Sequence, residues 1–462
     1  MQTFITDTVR FYNEMEQGSV CRHTGEKSYE HLRSLPIPEE GRALEEVYGE
    51  MLQEVYADML LPQHQRFFSC IPSTASLLSW MGDVMTNAFN PHASCKINAP
   101  AADLIEKKLI AWMCGLAGYP VSAGGLFVSG GSVANLTALT AARDAKLETG
   151  ERDRAVIYLS DQTHSSVAKD LHIIGFYRDQ IRIIPSDAEF RMDITKLKEA
   201  VEADLQAGKK PFAVVASAGS TNTGSVDPMT EIAHICRSHD MWMHVDGAFG
   251  ASALLSEKQR KKLAGIEYSD SLSWDAHKWL MQTYGCSVVL VRDQKLLVNS
   301  FAAHPEYLKD AENDQSGIEF WDLGPELTRP ARHLKLWLTL QTMGSREFSH
   351  VIDHGCMLAE FAEKLVGSAP GWELISPAKL GIVNFRYISN TSIPEAELDD
   401  INQKIAREIS ESGYAQIFTT QLHGKRVIRL CTINPQTTEE DIRETFERMR
   451  QSKAVKKSRE LL

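Results

Sequence analysis

The chain has 462 residues, 43% of them hydrophobic and 24% charged, which is the composition of a soluble globular protein with two or three packed units. A formal charge of −12 argues against nucleic acid or an anionic membrane as partner, because both select clustered Lys and Arg, and it leaves a small molecule as the expected ligand. The eight cysteines include no CxxC pair and there is no HExxH, so neither a disulfide framework nor a metal site is expected and a reducing compartment fits.

In chain order, Met1 to Gly18 mix Asp7, Arg10, Glu14 and Glu16 with apolar residues, so no secretion signal is expected. No run along the chain is long and apolar enough to span a membrane, and the expected location is cytoplasmic. Residues 1–75 read as an N-terminal helical segment. Ala43 to Tyr48 continue through Met51, Leu52, Val55, Met59 and Leu60 with apolar positions three and four apart, a stripe that must pack on the body of the protein or on a second subunit. Phe67 to Thr74 follow as a loop with exposed-looking aromatics, either a hydrophobic turn wedged into the core or a pocket wall.

Residues 76–340 change to short apolar runs alternating with helical stretches, the pattern of a mostly parallel sheet covered by helices on both faces. Gly125 to Val128 lead into Ser129-Gly130-Gly131-Ser132, and Ala155 to Leu159 into Ser160-Asp161-Gln162-Thr163-His164. Phe212 to Ala216 lead into Ser217 to Gly224, the Met241 run into Asp246, and the Ser271 run into His277 and Lys278. Polar or ionisable groups thus recur at the carboxyl ends of strands, where open α/β sheets bind ligands. A last run, Cys286 to Val291, is expected at an edge of the sheet or paired antiparallel.

Residues 341–462 read as a C-terminal α+β unit: a helix through Phe348 to Val366, a strand at Gly381 to Tyr387, a helix across Leu398 to Ser412, a strand at Val427 to Cys431 and a closing helix capped at Thr437 to Glu440. Lys453 to Leu462 read as a solvated or frayed tail.

The chemistry centres on Lys278, at the polar end of Ser271 to Trp279, and on Asp246, at the end of Met241 to Asp246. A lysine amine held toward a carbonyl and a carboxylate set against a cationic ring nitrogen are the two protein groups that pyridoxal phosphate chemistry needs most. The turn Ser129 to Ser132 enters a helix, which offers free N–H groups and a positive dipole end to a phosphate. It also reads as a plain tight turn. It matches neither GxGxxG nor GxxxxGK[ST], so a dinucleotide or nucleoside triphosphate is unsupported.

Asp161-Gln162-Thr163-His164-Ser165-Ser166-Val167, His244-Val245-Asp246-Gly247-Ala248 and His277-Lys278-Trp279 closely resemble motifs of the pyridoxal-phosphate-dependent group II amino acid decarboxylases, the family of aromatic amino acid and glutamate decarboxylases. The resemblance runs along essentially the whole chain, from Phe67-Phe68 to Asn434 through Asp441. It implies pyridoxal 5'-phosphate as cofactor, an L-amino acid as substrate, and a homodimer with active sites at the interface. The implied fold is type I α/β: a large domain with a mostly parallel sheet, a smaller C-terminal α+β domain and an N-terminal helical segment. By the same resemblance Lys278 bonds the cofactor aldehyde, Asp246 partners the pyridine nitrogen, His164 stacks on the ring and Ala248 packs under it. Thr221 falls where the family contacts the cofactor or its aspartate, and Gly131, Ser132, Asp275 and His277 fall near the phosphate.

Two departures stand out. Family decarboxylases carry a mobile loop whose tyrosine protonates the α-carbon after carbon dioxide leaves, whereas Asp310 to Glu326 contain Phe320 and Trp321 and no tyrosine; Tyr307 lies just before. Tyr307 in a shifted register, His164 or a water are the candidate donors. Aromatic-substrate members tend to have Tyr and Phe before the proline where this chain has Cys70-Ile71-Pro72, which leaves the amino acid open. The expected reaction is decarboxylation to the amine; its rivals are a decarboxylation-coupled oxidative deaminase, another carbon–carbon lyase, or a ligand-binding protein without catalysis.

Overall fold

The computed structural model describes residues 2–22, 25–303, 318–389 and 393–460. The chain divides into a large unit, Ser73–Ala359 with Ala378–Val383, and a small unit, Met1–Pro72 with Glu360–Pro377 and Asn384–Leu462.

The apolar runs of the large unit become β1 (Gly124–Val128), β2 (Ala155–Ser160), β3 (Ile181–Ile184), β4 (Lys210–Ser217), β5 (Trp242–Asp246), β6 (Ser271–Asp275) and β7 (Ser287–Val291). They form one seven-stranded sheet in the order β1-β7-β6-β5-β4-β2-β3. Strands β6, β5, β4, β2 and β3 pair in parallel, and β7 runs antiparallel to both β1 and β6. The Cys286 to Val291 run is therefore antiparallel as one of the two expected placements had it, but it lies inside the sheet, and β1 is the edge. Every residue of β1, β2, β5, β6 and β7 is buried. That is why these strands read as continuous apolar runs and not as alternation: helices cover both faces.

The helices of the large unit include α1 (Leu77–Phe89), α2 (Gly131–Lys146), α3 (Ser165–Ile173) and α4 (His333–Met343), of which α2 and α3 reach the site. Ser76 Oγ accepts from the Ser79 amide at 3.1 Å and fixes where α1 begins. Helix α2 lays Ala134, Ala138, Ala141 and Ala142 into the core, all fully buried. Their spacing is one helical face, and residues this small bring the helix axis close to the sheet. Enlarging any of them to Leu would overpack the face at a cost of about 1–3 kcal/mol.

The edge strand β1 is closed by side chains. Glu106 Oε1 accepts from the Phe127 amide at 2.9 Å and Arg329 Nη2 donates to the Phe127 carbonyl at 2.8 Å. The two charges pair at 2.6 Å with no exposure. Burial pushes the Glu106 carboxyl up, but Arg329 and His333 outweigh it and hold the group down at about 2.

The small unit is built on β8 (Trp372–Lys379), β9 (Ile382–Tyr387), β10 (Phe418–Leu422) and β11 (Lys425–Cys431), ordered β8-β9-β11-β10, with helices Glu395–Glu411 and Glu439–Arg450. Trp372 sits edge-on to Phe385, Tyr387 and Phe446, with ring centroids 4.9–5.8 Å apart. Thr438 Oγ1 accepts from the Asp441 amide at 3.1 Å while Asp441 Oδ2 accepts from the Thr438 amide at 3.0 Å, a reciprocal cap for the closing helix.

Of the two readings of the Phe67 loop, the turn in the core is the one the structure has: Phe67 and Phe68 are buried, the Phe68 amide donating to Gln416 O at 2.9 Å and its carbonyl accepting from the Cys431 amide at 3.0 Å, which threads this segment through the unit. Two other sequence expectations are corrected. The amphipathic stretch from Ala43 is helical only over Leu44–Glu50, loosens into a π-helical turn at Met51–Val55, and ends in Met59–Leu60, which pairs antiparallel with Cys21–Arg22. The expected frayed tail is instead a helix, Lys453–Glu460, whose first amides donate to Glu408 at 2.7 and 3.0 Å and whose Val455 is fully buried.

Candidate active site

The carboxyl ends of β1, β2, β4, β5 and β6 open onto one cavity of about 350 Å³ in the large unit. The parallel arrangement aims all these ends the same way, so residues far apart in sequence converge. Gly131, Ser132, His164, Thr221, Asp246, Ala248, Asp275, His277 and Lys278 all line it. The nine residues that the resemblance assigns to the cofactor are thus in one place.

The turn after β1 enters α2 at Gly131, where a Cβ would stand 2.8 Å from Asp275 Oδ2. Only a residue without a side chain leaves the helix N-terminus open to the cavity at this point. After β4 the chain turns at Gly219, whose φ of 95° favours glycine and whose missing Cβ would lie 2.9 Å from the Phe249 ring.

Lys278 follows β6 on a tight turn in which its amide donates to Asp275 O at 3.2 Å. Its Nζ lies 2.9 Å from Asp275 Oδ2. Burial pushes the Asp275 carboxyl up, and Lys278 and His277 outweigh it, holding the group below the usual carboxylate range. Burial also pushes the His277 imidazole down, and its Nδ1 lies 3.2 Å from both Cys286 O and Ser287 Oγ.

Asp246 ends β5 and is held on both oxygens. Oδ1 accepts from the Ala248 amide at 3.1 Å and from Ser273 Oγ at 3.3 Å, and Oδ2 accepts from Asn135 Nδ2 at 3.3 Å. His164 caps α3: its Nδ1 accepts from the Ser166 amide at 3.3 Å and lies 2.9 Å from Ser166 Oγ.

Sequence reasoning missed Asn135, Ser166 and Tyr284, which also line the cavity. Asn135 stands four residues after Gly131, one helical turn into α2, so the helix period could have marked it as facing the same way as the turn. Tyr284 sets its ring 5.5 Å from that of His277. Phe320 and Trp321 are buried, so they belong to the core and not to a mobile loop. Tyr307 and residues 310–317 lie outside the described residues.

This donor set suits a ring that carries an aldehyde, a phosphate and a basic nitrogen: an amine at Lys278, an open helix N-terminus at Gly131 and a fixed carboxylate at Asp246. Comparison with known proteins agrees. The pyridoxal-dependent decarboxylase conserved domain matches residues 27–388. An aromatic-L-amino-acid decarboxylase of Bacillus atrophaeus is 43% identical over 88% of this chain and 85% of its own length. A phenylacetaldehyde synthase of Arabidopsis thaliana is 29% identical over 96% of this chain and 93% of its own. The crystal structure of Oryza sativa TDC with PLP and tryptamine superposes with a TM-score of 0.93 at 28% identity, covering 99% of this chain and 97% of that one.

Proposed function

This chain belongs to the pyridoxal-dependent decarboxylase family, and from that membership we propose that it acts on an aromatic L-amino acid, as a homodimer in the cytoplasm. It is a carboxy-lyase of fold type I that uses pyridoxal 5'-phosphate to convert an L-amino acid to its amine. The observation that carries the aromatic reading is the 43% identity to an aromatic-L-amino-acid decarboxylase along most of both chains.

When bound, the cofactor draws electrons from the bonds of the substrate α-carbon. The protein's part is to hold and orient. Lys278 supplies the amine for the aldehyde, with Asp275 as its counter-ion before that bond forms. Asp246 offers a carboxylate to the ring nitrogen, and an anion there keeps that nitrogen protonated. Gly131 and Ser132, at the N-terminus of α2, would hold the phosphate. Ala248, with its small side chain, and His164, with its imidazole, would bound the ring, and Thr221 and His277 complete the wall.

Two apolar surfaces support the homodimer. Leu77, Met81, Val84, Met85 and Phe89 form an exposed stripe on α1, and Phe89 is 84% exposed. Phe4, Ile5, Val9, Leu44, Leu52 and Val55 expose a second set in the N-terminal helices. Contiguous apolar surface of this kind marks a protein interface. Sedimentation should give twice the mass of 51.6 kDa, and Phe89→Glu with Met85→Glu should shift it toward the monomer. Six of the eight cysteines are buried and no two of the eight form a disulfide, as suits a reducing cytoplasm. No helix among the described residues is long and apolar enough to cross a membrane.

A second reading rests on the phenylacetaldehyde synthase relative: decarboxylation coupled to oxidative deamination, giving an aldehyde. The test is incubation of the purified protein with a panel of L-amino acids, measuring carbon dioxide, amine, aldehyde and peroxide together. Amine from Trp, Tyr or Phe in excess over that from Glu or His supports the proposal; preferred turnover of an acidic or imidazole substrate overturns it.

A further inference from the structure

Behind the cavity wall a buried chain of hydrogen bonds runs from Trp242 to Asp246, and its direction is set by its ends. Trp242 Nε1 can only donate, and it does so to Ser271 Oγ at 2.8 Å. At the other end the Asp246 carboxylate can only accept, and it takes Asn135 Nδ2. Asn135 therefore turns its amide nitrogen to Asp246 and its Oδ1 to His244 Nε2, 3.0 Å away. An amide oxygen only accepts, so His244 carries its proton on Nε2. Its Nδ1 is then an acceptor for the Ser271 hydroxyl at 2.8 Å. Each link admits one orientation: Trp242 to Ser271 to His244 to Asn135 to Asp246.

Asn135 also has a branch. The same Nδ2 reaches Ser166 Oγ at 3.4 Å, which leaves the Ser166 hydroxyl proton for His164 Nδ1 at 2.9 Å. With Nδ1 accepting, the His164 proton sits on Nε2. One side-chain amide is thus joined to the carboxylate proposed for the ring nitrogen and, through Ser166, to the imidazole proposed for the ring face.

We infer that Asn135 is a positioning residue that fixes Asp246 and His164 together, with His244 holding its amide in the one orientation that serves both. The inference rests on the roles proposed above for Asp246 and His164. Burial pushes the His244 imidazole down to about 4, so it remains the neutral donor–acceptor that the chain requires throughout the neutral range. The amide is 1% exposed, so water does not substitute for a lost link.

The test compares Asn135→Leu, which keeps the volume and deletes both donations, with Ser166→Ala, which cuts only the branch to His164. For Asn135→Leu the expected result is a folded protein that still bonds cofactor at Lys278. Its kcat falls ten- to a hundredfold with KM within about threefold, and the visible band of the bound cofactor shifts in its pH dependence. Ser166→Ala should lower kcat by a smaller factor and leave that pH dependence alone. Imidazole ¹⁵N spectra of the cofactor-free protein give a readout apart from activity: His244 and His164 should both be protonated on Nε2 in the wild type, and His244 should lose its single tautomer in Asn135→Leu. A merely structural residue would lower the melting temperature with kcat, band and tautomers unchanged, and that outcome overturns the inference. If Asn135→Leu does not fold, a Ser166→Ala enzyme of normal kcat with His164 still protonated on Nε2 overturns it equally. Asp246→Asn is assayed alongside: normal turnover in that variant sinks the underlying roles, whereas impaired turnover there with a normal Asn135→Leu sinks only this inference.

Discussion

Lys278 Nζ and Asp275 Oδ2 form an ion pair 2.9 Å long in which the carboxylate is 2% exposed and the lysine 21%. The amine proposed for the cofactor aldehyde is therefore already steered by a fixed charge. Lys278→Ala should fold, lack the visible absorbance of bound cofactor after dialysis, and lose turnover. It also leaves Asp275 buried without its lysine, at a cost of about 1–3 kcal/mol for a pair that is part-exposed. Urea titration of the cofactor-free proteins measures this, and a visible band that survives the substitution would remove Lys278 from the chemistry.

Asp246→Asn keeps the shape and removes the charge. With the role proposed for Asp246, the ring nitrogen would then lose the anion that keeps it protonated, and turnover should fall by several orders of magnitude while cofactor remains bound, each tenfold corresponding to ~1.4 kcal/mol of transition-state stabilisation. Single-turnover rates with saturating substrate decide it; a rate within a few-fold of the wild type would make Asp246 a structural carboxylate.

Asp170 on α3 is buried and its Oδ2 has no hydrogen-bond partner among the described residues. Burial pushes its carboxyl from 3.8 up to about 7, with Lys169 opposing and Asp246 adding to the rise. The folded-state value lies above the unfolded one, so the group favours folding fully below pH 3.8 and that contribution is lost as pH rises toward 7. Asp170→Asn should therefore be more stable than the wild type at pH 8, by up to about 4 kcal/mol at ~1.4 kcal/mol per unit, with the advantage shrinking toward pH 4. Denaturant midpoints across that range test the sign, and a difference that does not vary with pH contradicts it.

The proton for the α-carbon is the remaining question of mechanism. Phe320 and Trp321 are fixed in the core and have no acidic proton, and Tyr307 is the one tyrosine between Ala302 and Glu326. It stands just before the charged run Lys309-Asp310-Ala311-Glu312, the place of a structural residue ahead of the loop, so Tyr307→Phe should leave the ratio of amine to aldehyde and the rate unchanged in air and without oxygen, and a fall in that ratio would make Tyr307 the donor. An unchanged ratio and rate would pass the role to His164 Nε2 or to water.

The site was legible in the sequence because its chemistry demands particular side chains at strand ends: a lysine, an aspartate, a histidine and a glycine turn stand out even among 462 residues. Asn135 and Ser166 were not, since they contribute only hydrogen bonds and such residues are common in any helix N-terminal turn. The fold shows the same division. Fully buried strands such as Ser287–Val291 announce themselves as apolar runs, whereas Ile181–Ile184 is short, alternates and keeps Ile183 exposed, so its run is too weak to separate from a loop. The Lys453–Glu460 helix was hidden for another reason. Its single buried valine and the caps from Glu408 are tertiary facts, and a charged eight-residue segment carries no trace of them in its own composition.

The β1 edge is closed by Arg329, a residue 202 positions further along the chain than the Phe127 carbonyl it satisfies. An open strand edge is a template on which another chain can add itself, and Leu126-Phe127-Val128 is an apolar one. A nascent or truncated chain that ends before residue 329 thus leaves the Phe127 carbonyl open and Glu106 without its arginine, and it should aggregate more readily even though all seven strands of the large sheet have been synthesised. The cap on this edge is complete only once that arginine arrives.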